Sequence, residues 1–285
     1  MSQLTFLSWN VFHGRDAPPD PALDRKAWWM SATPLDNGTY LQVNQSLEKD
    51  FVEKIASASW SVCLLQEVPP AWVPRLARRC GAEVFRVLTS RNQLACITRR
   101  ISAWRPDLLG AWEGGSNAIL VRSPWRIVPD SKQTLLLSSI TERGLSERRR
   151  MMFARVRSSN GQQEICVANL HATAKGPVHA EYEVVRAAKA AVEWSRGAPL
   201  VFGGDFNLRP VSSKVFEQLE RDLRLAGSTE PKSIDHVLTR GLEVVHRTTR
   251  WPDARREVEI SWKGGRRRIW LSDHPPIETT VEISV

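Results

Sequence analysis

The stretch with the clearest chemical potential is residues 200–210, LVFGGDFNLRP. Its apolar start predicts a strand buried on both faces, and Gly203 and Gly204 then interrupt the apolar run. Asp205 and Asn207 follow two residues apart, which puts both side chains on one face of an extended chain. A carboxylate beside an amide suits a hard cation and a phosphate oxygen, because Mg²⁺ takes few carboxylates and leaves positions for water and substrate. A turn is the structural alternative.

Other polar residues recur where a predicted strand gives way to a loop. They are Asn10, Glu67, His171, Asp235 and His274, the last preceded by Asp273. Taken singly, each has a structural explanation as a turn residue, a surface residue or a member of a buried ion pair. Taken together, they favour a functional site, because structural roles do not require all of them at strand ends.

The elements that would position these residues follow from apolar periodicity. The predicted strands are 4–10, 62–65, 84–88, 94–98, 118–121, 148–156, 164–170, 200–202, 233–239, 242–248 and 277–285, and the predicted helices are 45–59, 69–79, 177–196 and 212–221. Strand 242–248 is expected to pair with strand 233–239. A long loop is expected over 16–44.

Composition indicates an ordinary globular protein, with 285 residues, 42% hydrophobic and 25% charged. The candidate residues run from Asn10 to His274, so they meet only if the whole chain, 1–285, folds as one domain. The four cysteines form no CxxC pair, which argues against a zinc site and a disulfide framework. The sequence shows no signal peptide and no membrane span, so a cytoplasmic location is expected.

The basic residues are concentrated near the C-terminus. The net charge is +9, which favours polyanionic partners. Segment 247–270 holds eight basic and three acidic residues, and Gly264 and Gly265 within it predict a hairpin. We predict that Arg266, Arg267 and Arg268 contact the phosphate backbone of a nucleic acid, with support from Trp251, Trp262 and Trp270. The alternative is an exposed charged hairpin face.

Six motifs occur in an order similar to that of the endonuclease/exonuclease/phosphatase superfamily: SWN, LLQEV, NLHA, GGDFN, SIDHVL and LSDHPPI. The chain resembles a deoxyribonuclease I-like member over residues 4–285. The resemblance implies an α/β fold, a four-layer sandwich of two packed, mostly antiparallel β-sheets flanked by helices.

The resemblance also implies a metal site. Glu67 would be the principal Mg²⁺ ligand, with Mn²⁺ as a substitute, Asn10 would orient the phosphate and the metal, and Asp273 would support the metal site. Asp205 and Asn207 would position the nucleophilic water and the phosphate. In phosphodiester hydrolysis, a metal held by carboxylates neutralises charge on the phosphorane-like oxygens.

Two histidines complete the implied set. His274 would pair with Asp235, which fixes the ring and favours its protonated form, so that His274 acts as a base or an electrostatic stabiliser. His171 would donate to a phosphate oxygen or to the leaving group. A histidine at this position resembles the nonspecific nuclease and sphingomyelinase branches, since abasic-site endonucleases usually carry tyrosine. In the nuclease branch this histidine pairs with a glutamate just before a strand, and here only Glu113 lies near that position, where it fits poorly.

We therefore expect a Mg²⁺-dependent phosphodiesterase whose partner is a phosphodiester substrate, DNA or RNA. A phosphatase or a lipid phosphoesterase would use the same residues. The third alternative is a noncatalytic nucleic-acid-binding protein. The sequence leaves the oligomeric state open.

Overall fold

The computed structural model describes residues 2–17, 45–89, 115–142, 145–262 and 264–283. The predicted loop over 16–44 lies outside these ranges except for its first two residues. The strand predicted at 94–98 and the possible partner Glu113 also lie outside the described residues.

Fourteen strands and five α-helices are present in the described residues. The strands are β1 Ser2–Asn10, β2 Val62–Val68, β3 Ala82–Leu88, β4 Ser116–Arg122, β5 Trp125–Ile127, β6 Gln133–Glu142, β7 Leu145–Ser158, β8 Glu164–His171, β9 Leu200–Asp205, β10 Asp235–Arg240, β11 Glu243–Arg250, β12 Glu257–Trp262, β13 Gly265–Trp270 and β14 Ile277–Ile283. The helices are α1 Glu48–Ser57, α2 Val73–Cys80, α3 Pro177–Ser195, α4 Val215–Leu223 and α5 Asp253–Arg256. None of these helices is long and apolar enough to cross a membrane.

The strands form two large sheets and one separate hairpin. The first sheet has the order β11-β14-β1-β2-β4-β3, and the second has the order β10-β9-β8-β7-β5, with β6 also paired to β7. Each large sheet contains one parallel pair, β1 with β2 and β8 with β9, among otherwise antiparallel pairs. Strands β12 and β13 form the hairpin.

The alternation of apolar side chains explains how the sheets stack. In β1, Phe6 belongs to the core between the two sheets, whereas Leu7 and Trp9 belong to the core beneath α1. Successive side chains point to opposite faces of a strand, so a strand with both faces covered needs a continuous apolar run. Met152 of β7, in the second sheet, belongs to the same inter-sheet core as Phe6.

The helices cover the outer faces. Phe51 and Ile55 of α1 pack against the first sheet. Ala187 and Val184 of α3 pack against the second, and small alanine side chains let this helix approach the strands closely. The result is a layered α/β sandwich with helices outside and sheets inside, which confirms the predicted fold class.

The topology brings the candidate residues to one edge of the sandwich. The parallel strands β1, β2, β8 and β9 all run toward this edge, and they carry Asn10, Glu67, His171 and Asp205 at or next to their ends. Strand β10 starts here because it is antiparallel to β9, with Asp235 opposite Asp205. The residues before β14 return to the same edge because β14 is antiparallel to β1.

One predicted strand pairing is wrong. The segment predicted at 242–248 becomes β11, but it pairs with β14 of the first sheet and not with β10. The outer edge of β10 is occupied by Ala226, whose backbone exchanges two hydrogen bonds with Thr239, of 2.8 and 3.1 Å. The chain then leaves the second sheet at Gly241, where φ is +67°.

The hairpin turn is also shifted from its predicted place. Strands β12 and β13 pair as expected, but Trp262 is opposite Gly265, so Gly265 belongs to the strand. Gly264, which precedes this strand, has a positive φ of +79°, as a hairpin turn commonly requires.

Gly204 gives a test of how tightly β8 and β9 are packed. Its φ is +130°, and a Cβ there would lie 2.0 Å from the Leu170 carbonyl oxygen. We expect Gly204→Ala to lower the free energy of unfolding by about 1–3 kcal/mol more than Gly161→Ala. Gly161 is the matched control, because its φ is also positive, at +74°, but nothing lies within 4 Å of the added Cβ. Urea unfolding measures both changes, and equal losses would refute the close approach.

Candidate active site

Asp205 is the centre of the polar cluster at the sheet edge. Its side chain is 1% exposed. Its Oδ2 accepts a hydrogen bond from Asn10 Nδ2 at 3.0 Å, and its Oδ1 accepts one from the Asn207 backbone N–H at 2.9 Å. Burial raises the pKa of Asp205 to about 7, while the positive charge of His274 acts in the opposite direction. Asp205 is thus a rigidly held carboxyl group with a raised affinity for a proton.

The two amides of the cluster also fix the backbone. Asn10 Oδ1 accepts the Phe12 N–H at 3.0 Å, which shapes the turn after β1. Asn207 has a φ of +52° and donates from Nδ2 to the Ala172 carbonyl at 2.9 Å. Each amide therefore joins two chain segments at the site.

Asp235 and His274 form a hydrogen-bonded pair, with His274 Nδ1 2.8 Å from Asp235 Oδ2. The other ring nitrogen, Nε2, lies 4.0 Å from Asp205 Oδ2. Burial disfavours the charged ring, but Asp235, Asp273 and Asp205 outweigh it, so the pKa of His274 is raised well above its ordinary value. A protonated ring donates its Nδ1–H to Asp235 and presents Nε2–H toward Asp205.

The acidic residues of the site fit a divalent cation. Asp205 and Asp235 offer carboxylate oxygens that lie within 4.8 Å of each other, beside the charged ring of His274. Asp235 Oδ1 is buried and has no hydrogen-bond partner among the described residues. Burial raises the pKa of Asp273, to which the nearby charge of Glu67 adds, while His274 lowers it. Clustered carboxylate oxygens are the donors that Mg²⁺ and Mn²⁺ take.

Glu67 lies between two histidine rings. Its Oε2 is 3.4 Å from His13 Nε2, and its Oε1 is 3.5 Å from His171 Nε2. His171 Nε2 also lies 3.6 Å from Asp205 Oδ2. The His171 ring therefore lies between the Glu67 and Asp205 carboxyl groups.

His171 contacts an arginine that the sequence did not single out as its partner. Arg149 is buried, and its Nη1 lies 3.0 Å from His171 Nδ1 and 2.6 Å from Nε2. Burial, followed by the positive charges of Arg149, His274 and His13, holds the pKa of His171 well below its ordinary value. His171 is therefore a neutral imidazole beside a permanent cation.

The site concentrates backbone strain. Of the seven described non-glycine residues with positive φ, two follow helices as C-caps and the other five lie in segments of the site. These five are Phe12, His13, Glu67, Asn207 and Ser272. Such conformations cost about 1–3 kcal/mol each and persist where the surroundings determine them, which is common at functional sites.

Two sets of hydrogen bonds hold the residues next to the site in place. Gln66 of the first sheet donates to Asn169 of the second at 2.7 Å, and Asn169 donates to two backbone carbonyls of the first sheet. Asn169 and His171 are two residues apart in β8 and therefore lie on one face of the strand. This spacing was the only feature of the sequence that associated Asn169 with the site. Trp9 donates from Nε1 to the His274 carbonyl at 2.8 Å.

Arg256 supports the loop that carries Asp273 and His274. Its buried guanidinium donates to the Ser272 carbonyl and to Asp253 Oδ1, the latter at 2.8 Å. Ser272 donates to the Asn10 carbonyl at 2.6 Å and accepts the His274 N–H at 3.0 Å. This function of Arg256 was not predictable from the sequence, where the residue stands out only as part of a basic segment.

Among the described residues, the ion pairs of the hairpin arginines are within the hairpin and not with the polar cluster around Asp205. Arg266 pairs with Glu259 at 2.8 Å, and Arg268 lies 3.6 Å from Glu257. Arg267 is opposite Ile260, so strand alternation puts it on the other face from Arg266 and Arg268.

The predicted support from tryptophan is only partly available. Trp251 is 3% exposed and packs against Trp9, so it is a core residue and not a stacking surface for a ligand. Trp270 is partly exposed, and the Arg256 guanidinium carbon lies 4.9 Å from the centroid of the Trp270 ring.

His236, the neighbour of Asp235 in β10, is a buried structural residue. Its ring nitrogens form hydrogen bonds with the Thr229 backbone N–H and the Leu208 carbonyl.

Known structures share this fold at low sequence identity. An endonuclease/exonuclease/phosphatase family protein from Bacteroides thetaiotaomicron superimposes with a TM-score of 0.66 at 14% identity, over 100% of this chain and 99% of that one. A mannosyl-6-phosphatase from the same organism gives 0.64 at 14%, over 98% and 100%. D. rerio TDP2 complexed with single strand DNA product gives 0.54 at 16%, over 99% and 100%. No curated protein matches the chain in sequence.

The family model for the endonuclease/exonuclease/phosphatase family matches residues 7–274, which span every candidate residue of the cluster. Members of this family are hydrolases that act on phosphoester bonds. The chain belongs to the endonuclease/exonuclease/phosphatase family.

Proposed function

We propose that this chain is a phosphodiesterase that uses Mg²⁺ or Mn²⁺ and hydrolyses nucleic acid. The observation that carries the proposal is the buried Asp205 carboxyl group beside the hydrogen-bonded pair of Asp235 and His274. A proton acceptor and a protonated ring on one side of a phosphate supply a base for water and charge stabilisation for the phosphorane-like oxygens. We further propose that residues 1–285 form one domain, which the pairing of β1 with β14 supports.

Asp205 is the group best placed to accept a proton from the attacking water. Its raised pKa makes its carboxylate a stronger base than an exposed aspartate. Asn10 and Asn207 hold its two oxygens in fixed directions, so little reorganisation is needed when the water binds. These contacts support a positioned general base.

The two histidines have different protonation states and therefore different tasks. His274 is charged, with Asp235 holding its Nδ1, so Nε2–H is available to stabilise negative charge on the phosphate. His171 is neutral and would donate a single N–H to a phosphate oxygen or to the leaving group, with Arg149 adding positive charge. Titratable groups with pKa values pushed apart are typical of sites that divide acid and base tasks.

Glu67, Asp273 and Asn10 would hold the metal ion. When bound, the ion would neutralise charge on the phosphate oxygens and offset repulsion among the carboxylates. Glu67 is suited to this task because its side chain is 20% exposed at the rim of the cluster, within reach of solvent ions.

Nucleic acid is the proposed substrate because the chain is strongly basic, with a net charge of +9. The pairing of Arg266 and Arg268 with glutamates does not oppose this, since exposed ion pairs are worth only about 0–1 kcal/mol and can exchange for phosphate. A phosphomonoesterase is the second candidate, because those same pairs leave the hairpin nearly neutral on that face and one structural neighbour is a sugar phosphatase.

The first test concerns the metal ligand. We expect Glu67→Gln to reduce hydrolysis of plasmid DNA and of bis-p-nitrophenyl phosphate by at least about 10²-fold, because a neutral amide binds a divalent ion weakly. Glu53→Gln is the control, since Glu53 is an exposed glutamate on α1 that pairs with Arg79. Assays with Mg²⁺, with Mn²⁺ and in excess EDTA complete the set. Full activity in EDTA would refute metal dependence.

The second test concerns the Asp235 and His274 pair. Each alanine variant should lower kcat by roughly 10² to 10⁴, and the double variant should be only slightly worse than His274→Ala. The reason is that a carboxylate that orients a ring has little to do once the ring is gone. Thermal melts control for destabilisation by an unpaired buried charge. If the double loss equals the product of the single losses in folded variants, the two residues act independently.

The third test concerns the hairpin. Replacing Arg266, Arg267 and Arg268 together with asparagine should weaken DNA binding and lower the slope of log K against log salt by up to about 3, while turnover of bis-p-nitrophenyl phosphate changes little. Asparagine variants of Arg196, Arg221 and Arg224, which are exposed on the helical side of the second sheet, are the matched control. An unchanged slope would make the hairpin an exposed charged face, and retained turnover of p-nitrophenyl phosphate alone would favour the phosphomonoesterase.

A further inference from the structure

We infer that His13 is a nitrogen ligand of the metal ion at Glu67, and that the site therefore selects a transition-metal ion such as Mn²⁺ over Mg²⁺. The inference rests on the proposed function in taking Glu67 as a metal ligand. Imidazole nitrogen is a good donor to first-row transition metals, whereas Mg²⁺ takes oxygen donors almost exclusively. One added histidine thus changes which ion the site prefers.

The distance between the two side chains is the first support. His13 Nε2 lies 3.4 Å from Glu67 Oε2, which is longer than an ordinary N–H···O hydrogen bond of about 2.7–3.2 Å. Two atoms that each lie about 2.1 Å from one ion, at about 90–110° to each other, are about 3.0–3.4 Å apart. The separation therefore suits two ligands of one ion better than a direct hydrogen bond.

The backbone is the second and independent support. Phe12, His13 and Gly14 have consecutive φ values of +48°, +52° and +76°, and Glu67 has +52°. Asn10 stabilises this turn by accepting the Phe12 N–H. Two non-glycine residues in strained conformations that face each other indicate a constraint on the direction of both side chains, and strain of this kind collects at functional sites.

The surroundings keep the turn in place. A Cβ at Gly14 would lie 2.1 Å from the Trp72 ring, so the turn passes directly against that indole. Trp72 itself packs against Phe51 at 5.7 Å between ring centroids. The His13 side chain is 11% exposed, so the ring is held inside the site and is not a solvated surface group.

His171 is the competing histidine, but its surroundings suit a different task. Arg149 Nη1 lies within 3.0 Å of both of its ring nitrogens, so a guanidinium is in contact with the ring edge that carries them. A permanent cation at this distance also repels a metal ion. Of the two rings beside Glu67, His13 is therefore the one that binds the ion.

The test measures metal binding directly on the full chain. Mn²⁺ and Mg²⁺ affinities are determined by titration calorimetry, and pulsed electron spin resonance of bound Mn²⁺ detects coupling to a directly bound ¹⁴N. The variants are His13→Asn and His13→Gly, since both residues accept positive φ, with His179→Asn on the exposed side of α3 as the control. Glu67→Gln identifies which binding belongs to the site.

We expect ¹⁴N coupling in the unchanged protein and in His179→Asn, and its loss in both His13 variants. Mn²⁺ affinity should fall by about tenfold or more in those variants, while Mg²⁺ affinity changes by less than about threefold. Coupling that survives in the folded His13 variants would overturn the inference and assign the nitrogen to another residue. Mn²⁺ that binds without ¹⁴N coupling, and is lost in Glu67→Gln, would overturn it while leaving the proposed function standing. Failure to bind either ion would refute both.

Discussion

The register between the two sheets is the constraint on which the site depends. Asn10 is on the first sheet and Asp205 is on the second, and a hydrogen bond of 3.0 Å joins their buried side chains. Either side chain would destabilise the folded state if it were buried without a partner. Beneath them, Gln66 and Asn169 make a second buried bond across the sheets at 2.7 Å. Apolar packing alone would tolerate sliding of one sheet over the other, whereas these hydrogen bonds are satisfied in one register.

That register brings four carboxyl groups together at one edge of the sandwich. Glu67, Asp205, Asp235 and Asp273 lie at one edge, and burial raises the pKa of both Asp205 and Asp273. The charged ring of His274 offsets part of this repulsion. A buried excess of carboxylates is unfavourable for the unliganded protein but favours binding of a divalent ion and an anionic phosphate together. The same carboxyl groups that lower the stability of the unliganded fold would therefore strengthen the binding of the ion and the phosphate.

Local sequence information predicted the fold well where apolar runs were long and ended in polar residues. Strands β1, β2, β8 and β9 have this form, so the positions of Asn10, Glu67, His171 and Asp205 were predictable. The partner of β11 was not, because an alternating exposed strand carries no local signal for which sheet it joins. The contacts of Arg149 and Arg256 were likewise hidden, since a buried arginine differs from an exposed one only through residues distant in sequence.

Under the proposed function, the division between sheets and hairpin would separate chemistry from substrate recognition. The proposed reacting groups lie at strand ends of the two large sheets, whereas the hairpin is a separate sheet whose apolar residues, Ile260 and Ile269, belong to the core on the outer side of the first sheet. Its exposed face can therefore change sequence without disturbing Asp205 or His274. Arg256 connects the two, because it donates a hydrogen bond to the Ser272 carbonyl, directly before Asp273 and His274. A fold built this way retains one hydrolytic centre while the surface around it sets which phosphoester is bound.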